Sequence, residues 1–422
     1  VYLIRGLTKK FSDEVVWLKQ AISSLAINHK IAFMKYFNLI IVCLSLFSCT
    51  SEFSKGKYVI DTIHPVITLD RYEKEFDLQD FIENISYCKL ETSPESLLGN
   101  IDKMMVDSSS LFIFDRYTCN ALYRFSRSGK FITKFGKQGR GPEEYIEIYD
   151  FDVDFDNKQV LLLDLNGRKI QYYSFDGEYL RTRKVDFLAT EFKCNRQFIG
   201  YKIESSYNPS VKHKKYILLD TLDEKEYTYF DSRDIPKKFS YTLSNTMNKY
   251  NGHIYISPRY ANSIYKLDSC YLKEYIHVRL KDSIDSKTLK TITDEKFETL
   301  QQTHSYLDGG WVILADYSYL KMKTPKGLYN VCISTDGRLI SGYTQKIHPM
   351  NPLLTFFSYP IAGWENELIQ PVSSSIVLDQ KNMLYILAQD NLKVIKLLDD
   401  LYKDVSENSN QIVFFYQLKK IN

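Results

Sequence analysis

At 422 residues, with 44% hydrophobic and 25% charged side chains, the chain can bury a large core and has an ordinary soluble composition. Its 55 Lys and Arg stand against 52 Asp and Glu with no long single-sign run, which argues against a nucleic-acid partner. Aromatic residues reach 14%, including 33 Tyr and 25 Phe, a composition that favours strands.

The first element lies at residues 34–49, MKYFNLIIVCLSLFSC, where Met34 and Lys35 precede an apolar run from Phe37 to Phe47. The run is too short to span a bilayer comfortably and reads as a secretory signal. Its ending, Leu46, Phe47, Ser48 and Cys49, resembles a bacterial lipobox, so the expected signal peptide is 34–48, with cleavage before Cys49 and a lipid on that cysteine. The lipid would make the membrane a partner and place the exported protein at the cell envelope, at the outer membrane. Residues 1–33 make too long a lead for such a signal and are expected to be an upstream extension, with translation starting at Met34. Residues 49–80 then form a lipidated tether and an N-terminal strand region, and 81–422 the folded domain.

Beyond residue 95 the chain repeats itself. Leu111 to Phe135 overlays Val160 to Val185: each has an apolar run ending in aspartate (Asp115, Asp164), a polar loop, a second run, a glycine turn (Gly129, Gly177) and a third run. Short apolar runs punctuated by turn residues predict successive antiparallel strands. The two aspartates are about one four-stranded propeller blade apart. Weaker copies are read at Phe198 to Phe230, His253 to Leu267, Leu328 to Tyr343 and Met383 to Leu398. Six such units predict an all-β fold, a six-bladed β-propeller of four-stranded antiparallel blades. A closed ring hides faces that an open sheet would expose. Tyr58 to Leu69, Phe81 to Glu91 and Gln411 to Lys419 are further strands, and either end of the chain could close the last blade.

Between the first two units lies FGKQGRGPEEY, Phe135 to Tyr145, with three glycines and a proline. A phosphate loop needs a following helix. Here strands flank both sides, so the glycines are expected to permit positive φ at a blade crossing that Pro142 stiffens. The segment Asp282 to His304 lacks Gly and Pro and predicts a partly helical insert between blades four and five, capped by Thr293 or Asp294.

The stretches CKLETSPESLLGNIDKM from Cys88, FGKQGRGPEEY, DGEYL and QIVFFYQLKK resemble the six-bladed β-propeller lipoproteins of Bacteroidales, relatives in shape of NHL-repeat propellers. The resemblance covers roughly residues 80–420, is strongest in the first two blades and is weak from Ala189 to Lys249.

Propeller topology groups the loops. Links from an outer strand to the next inner strand share a rim with the loops between strands two and three, which gathers Arg116, Tyr117, Arg140, Glu143, Glu144, Arg168, Arg259 and Tyr260. Arg offers forked donors and Tyr an amphipathic ring, a mixture suited to a glycan, a peptide or a partner protein. The expected function is non-catalytic binding through that rim; the alternative is an envelope carbohydrate hydrolase or lyase. The seven His follow no HExxH spacing, no GxSxG elbow occurs and the seven Cys form no CxxC pair, so neither a metal nor a cofactor is expected. Asp152, Asp154 and Asp156 alternate with Phe151, Val153 and Phe155, a strand pattern rather than a calcium loop. The cysteines after Cys49 are expected to be mostly buried free thiols.

Overall fold

The computed structural model describes residues 81–421 apart from 204–207, 209–213, 232–244, 259, 285–291, 337, 345–350 and 390, together with residue 79 and the short upstream stretches 54–55, 57–59, 66–69 and 75–76. The signal peptide, Cys49 and the residues before them lie outside the described residues, as do Arg259 and Gly337.

Upstream strands β1 (Ser54–Lys55), β2 (Lys57–Val59), β3 (Val66–Leu69), β4 (Glu75–Phe76) and β5 (Ile82–Lys89) precede the first blade. Blade one is β6 (Lys103–Val106), β7 (Ser110–Asp115), β8 (Ala121–Ser126) and β9 (Phe131–Phe135). Blade two is β10 (Ile148–Asp154), β11 (Gln159–Asp164), β12 (Lys169–Ser174) and β13 (Tyr179–Lys184). Blade three is β14 (Ala189–Cys194), β15 (Phe198–Ile203), β16 (Lys214–Asp220) and β17 (Glu226–Asp231). Blade four is β18 (Met247–Tyr250), β19 (His253–Ile256), β20 (Ser263–Asp268) and β21 (Tyr271–Leu280), followed by helix α1 (Asp294–Thr303) in the expected insert. Blade five is β22 (Tyr306–Ile313), β23 (Tyr317–Thr324), β24 (Gly327–Ser334) and β25 (Leu339–Thr344). Then come β26 (Ala362–Trp364), β27 (Glu367–Val372), helices α2 (Ser374–Asp379), α3 (Lys381–Ala388) and α4 (Leu392–Tyr402), and β28 (Ile412–Leu418).

Each blade is antiparallel, with its first strand innermost and facing the first strands of its neighbours around one axis. Six apolar clusters fill the spaces between neighbouring blades. Phe112, Phe114, Phe151 and Tyr173 join blades one and two, and Ile369, Val413 and Phe415 meet Leu111, Ile113 and Tyr123 where the sixth blade meets the first. Strand β7 is therefore buried on both faces, whereas outer β9 alternates between exposed and covered positions. The fold is the expected six-bladed propeller.

The sixth blade corrects one expectation. Met383 to Leu398 does not form strands; it forms most of α3 and α4, an excursion between strands two and three of the blade. Leu384, Ala388, Leu398, Leu401 and Tyr402 are its buried side, at helical spacing, and the Asn391 side chain caps α4 by accepting from the Val394 amide. The blade is instead β26, β27, β28 and β5. Both chain ends thus close the ring, the C-terminal strand third and the N-terminal one outermost, with Val413 paired to Cys88 and Leu418 to Ile82. Upstream of β5, the chain adds parallel edge strands to outer strands on the way round: β1 to blade three, β2 and β3 to blade four, and β4 to blade five.

The repeated aspartates turn out to be clamps. Asp115, fully buried, accepts the amides of Gly99 and Asn100 from the link entering blade one and those of Thr118 and Cys119 from the loop after β7. Asp164 does the same for Ile146, Glu147 and Gly167. Asp115→Ala leaves these four amides without that acceptor, and we expect a loss of about 2–3 kcal/mol in chemical denaturation. An unchanged midpoint would show that the clamp is dispensable.

The five described cysteines, Cys88, Cys119, Cys194, Cys270 and Cys332, are free thiols, three of them buried. Among the described residues no helix is long and apolar enough to cross a membrane.

Candidate binding site

The rim residues of blades one and two fall where topology places them. Arg116 lies over Tyr149, its guanidinium carbon 3.5 Å from the ring centroid, and 5.3 Å from the ring of Tyr117, which is 58% exposed. Arg140, Glu143 and Arg168 are exposed, and Glu144 is half-buried. Tyr260 differs: it is buried beneath the insert, against Phe297 and Tyr306, and its hydroxyl accepts from Gln301 of α1. On this rim it supports the insert and presents no ring to a ligand.

The glycine-rich crossing holds its own backbone. The Gly139 amide donates to the Tyr145 carbonyl, Tyr145 to Lys137, and Glu144 to Gly141. The Glu144 carboxylate in turn accepts the Gly141 amide at 2.9 Å, so these donors do not point outward at an anion. Only Gly136 of the three glycines has a positive φ, +66°. Gly139 lies close under Glu144: a Cβ there would be 1.9 Å from its carboxylate oxygen and would push that side chain off the Gly141 amide. The crossing is a self-stitched clip rather than a phosphate loop.

The convergent polar groups are at the axis. Asp150 and Asp152 of β10 point away from Phe151 and Val153, as alternation requires, yet toward the next blade rather than solvent; Asp152 is fully buried and Asp150 is 3% exposed. Asp150 receives the ammonium of Lys103 from β6 and the Phe192 amide of β14. Asp152 receives Lys249 of β18 at 3.0 Å and the Cys194 amide at 2.8 Å. Lys193 of β14 lies between the two carboxylates, 3.9 Å from Asp150 and 4.0 Å from Asp152. Glu191 of β14 accepts the Thr246 hydroxyl and the amides of Thr246 and Met247, with Lys202 at 3.9 Å. Four blades are tied together by this network.

Its electrostatics follow from burial and pairing. Burial drives the Lys103 ammonium down to about 8 against the pull of Asp150. Burial also acts on Lys193, but Asp150, Asp152 and Glu191 outweigh it and hold that lysine above the ordinary range. Burial pushes Asp152 up, and Lys249, Lys193 and the Cys194 amide more than reverse this, leaving it below the usual aspartate value. Burial and then Asp152 push the Cys194 thiol well up, so it is not a reactive thiolate.

Above the network is a cavity of about 430 Å³, within the roughly 300–1,000 Å³ usual for small-ligand sites. Lys103, Lys193 and Lys249 line it together with Asn248, Tyr250, Trp311 and Trp364. Its mouth is formed by turns between first and second strands, at Asp107, Asp156, Gly252, Ala315 and Glu365. It therefore opens on the face opposite the rim expected from the sequence. A second cavity, about 610 Å³, lies on the rim side of blade six, between Asn100, Phe356, Gln370 and Gln411, with no charged side chain in its lining.

One Ser-His-acid grouping occurs on blade four. The Ser263 hydroxyl lies 2.8 Å and Glu274 3.3 Å from the same ring nitrogen, Nδ1 of His277. A relay needs the two partners on opposite nitrogens, so this geometry does not activate the serine. Among the described residues no group of three or more His, Cys, Asp or Glu is arranged to hold a metal.

One solved structure supports the fold. A protein of Bacteroides fragilis described as exported superposes with a TM-score of 0.65 at 18% identity, over 84% of this chain and all of that one. A member of the DUF4221 family from Bacteroides vulgatus gives 0.44 at 10% identity, over 80% and 97% of the two chains. Virginiamycin B lyase of Staphylococcus aureus, in a catalytically inactive variant, gives 0.37 at 11% identity, over 68% and 81%. No curated protein matches the sequence. Residues 63–417 match a family described as a domain of unknown function, DUF4934, and the chain belongs to it.

Proposed function

We propose that this member of the DUF4934 family is a non-catalytic binding protein of the cell envelope, exported and held there by a lipid on Cys49, which takes a glycan in its axial cavity. The observation that carries the reading is the lining of that cavity: Trp364 and Tyr250 beside Asn248 and three lysines, at the point where the blades converge. Aromatic rings offer flat apolar faces to the C–H side of a sugar, and a few fixed polar groups set its orientation. A peptide would look for a strand edge with free backbone groups. At this end of the axis several edge groups are already taken, the Phe151 and Val153 carbonyls by Lys103 and Lys249, the Phe192 and Cys194 amides by Asp150 and Asp152. The buried carboxylates lie behind their lysines and are absent from the lining, an arrangement for charge balance rather than acid catalysis.

Residues 50–422 should gain thermal stability with an envelope glycan, because binding to the native state alone raises the melting temperature. Trp364→Ala should weaken that ligand by about tenfold or more, while Arg116→Ala on the opposite rim leaves it unchanged. A shift lost in Arg116→Ala but kept in Trp364→Ala would move the site to the rim and overturn the cavity reading.

A further inference from the structure

The axial network is not electrically neutral in the direction of the cavity. Lys103, Lys193, Lys249 and Lys202 lie within ion-pair reach of three carboxylates, Asp150, Asp152 and Glu191, which leaves one cation in excess. The asymmetry is also spatial. Lys103, Lys193 and Lys249 line the cavity, whereas Asp150, Asp152 and Glu191 do not.

Two of the lining lysines have a donor left over. An ammonium carries three N–H groups. Lys103 spends two, on Asp150 and the Phe151 carbonyl. Lys249 spends two, on Asp152 and the Val153 carbonyl. Lys193 bonds the carbonyls of Phe192 and Phe151. These bonds and ion pairs also fix where the ammonium groups sit, since Lys103 and Lys193 are almost wholly buried. Two held donors, from Lys103 of blade one and Lys249 of blade four, thus meet near one end of the cavity, with the buried Lys193 ammonium of blade three adding its charge behind them.

We propose that this end is an anion subsite and that the ligand is a saccharide carrying a single carboxylate, a uronic acid at its end, which sits against Lys103 and Lys249, with the charge of Lys193 behind them, while the sugar rings lie along Trp364 and Tyr250. The proposal rests on the glycan reading above and deepens it. Charge-assisted bonds from buried ammonium groups are stronger than neutral ones and give the end of the ligand its orientation. The mouth opposes a polyanion. Asp107, Asp156 and Glu365 stand there, Asp156 paired with exposed Arg196 and Asp107 spent on the amides of Ser109 and Ser110. A chain bearing charge on every residue meets these acids, and one charged only at its tip passes them.

Two measurements test this on the wild-type protein, since removing a lysine would strand a buried carboxylate. Crystals soaked in bromide should show an anomalous peak in the cavity within about 3.5 Å of at least two of the three lysine Nζ atoms. Ordered bromide elsewhere on the surface and none in the cavity would overturn the subsite. In thermal-shift titrations, a disaccharide ended by glucuronate should bind about tenfold or more tightly than the same disaccharide ended by glucose. Equal shifts from both sugars, lost in Trp364→Ala, would keep the glycan reading and refute the anion subsite. Bromide in the cavity with no response to either sugar would refute the uronic acid as its occupant.

Discussion

A chain beginning at residue 91 is expected to lose its cooperative thermal transition. The deletion removes β5, and with it the strand that covers the outer edge of β28 and the side chains Ile82 and Cys88 buried in the last two inter-blade cores. Blade six then has three strands, and the clusters that join it to blades five and one are opened together. The loss exceeds about 5 kcal/mol, comparable with the whole stability of many domains. A control separates loss of the strand from loss of sequence. The end of β28 lies beside the start of β5, with the Lys419 amide bonded to the Phe81 carbonyl, so residues 81–90 can be moved behind residue 420 through a short hairpin linker. This permuted chain should melt cooperatively near a chain that begins at residue 81, which lacks the same upstream edge strands. If the truncated chain does so too, the closure assigned to β5 is wrong.

The second large effect belongs to the axial network. Lys249→Met leaves Asp152 buried with one ammonium fewer, and breaking a buried pair from one side costs about 3–5 kcal/mol. Replacing both, Lys249→Met with Asp152→Leu, should recover most of that loss in urea denaturation, because the desolvated charge is gone. A double variant no more stable than the single one would mean that the carboxylate matters for its bonds to Cys194 rather than for its charge. The network also fixes the sign of the acid response. Asp152 titrates below the ordinary value of 3.8 in the folded protein. A group of this kind contributes its stability in full above the unfolded value and loses it as pH falls through the folded one. The urea midpoint of the wild type should therefore fall as the pH drops below about 4, and the double variant should lose less over the same window.

How much of this was legible in the sequence depends on the distance over which each signal acts. Blades one and two declared themselves because strand, loop and turn recur in register, and Asp115 and Asp164 mark the same joint in each. Blade six was misread because Met383 to Leu398 consists of two short apolar runs, for which strand and buried helix look alike. The spacing of Leu384 and Ala388, and of Leu398, Leu401 and Tyr402, with Asn391 as a cap, was the signal that could have separated them. The cavity was missed for another reason. Lys103, Asp150, Lys193 and Lys249 stand on four separate strands, and each alone reads as an ordinary polar residue. Only the ring makes them neighbours. The alternation around Asp152 correctly turned the acids away from Phe151 and Val153, but it could not say that another blade would be waiting on that side. Tyr260 was placed on the right loop and still assigned wrongly as an open ring, because the insert that covers it lies further along the chain.

The way the ring is fastened also sets the order of events during synthesis. Strand β5 leaves the ribosome before any blade, and its partner β28 leaves after all the others, so Cys88 waits for Val413 through almost the whole of translation. Blades one to five can pair locally as they emerge, but the last seam is a contact of very long sequence separation, and such contacts slow folding. Until it forms, the nascent chain displays the edge of an unpaired strand and two half-built cores. A protein secured by this latch stays an open ring until β28 reaches β5, however early the other blades are made.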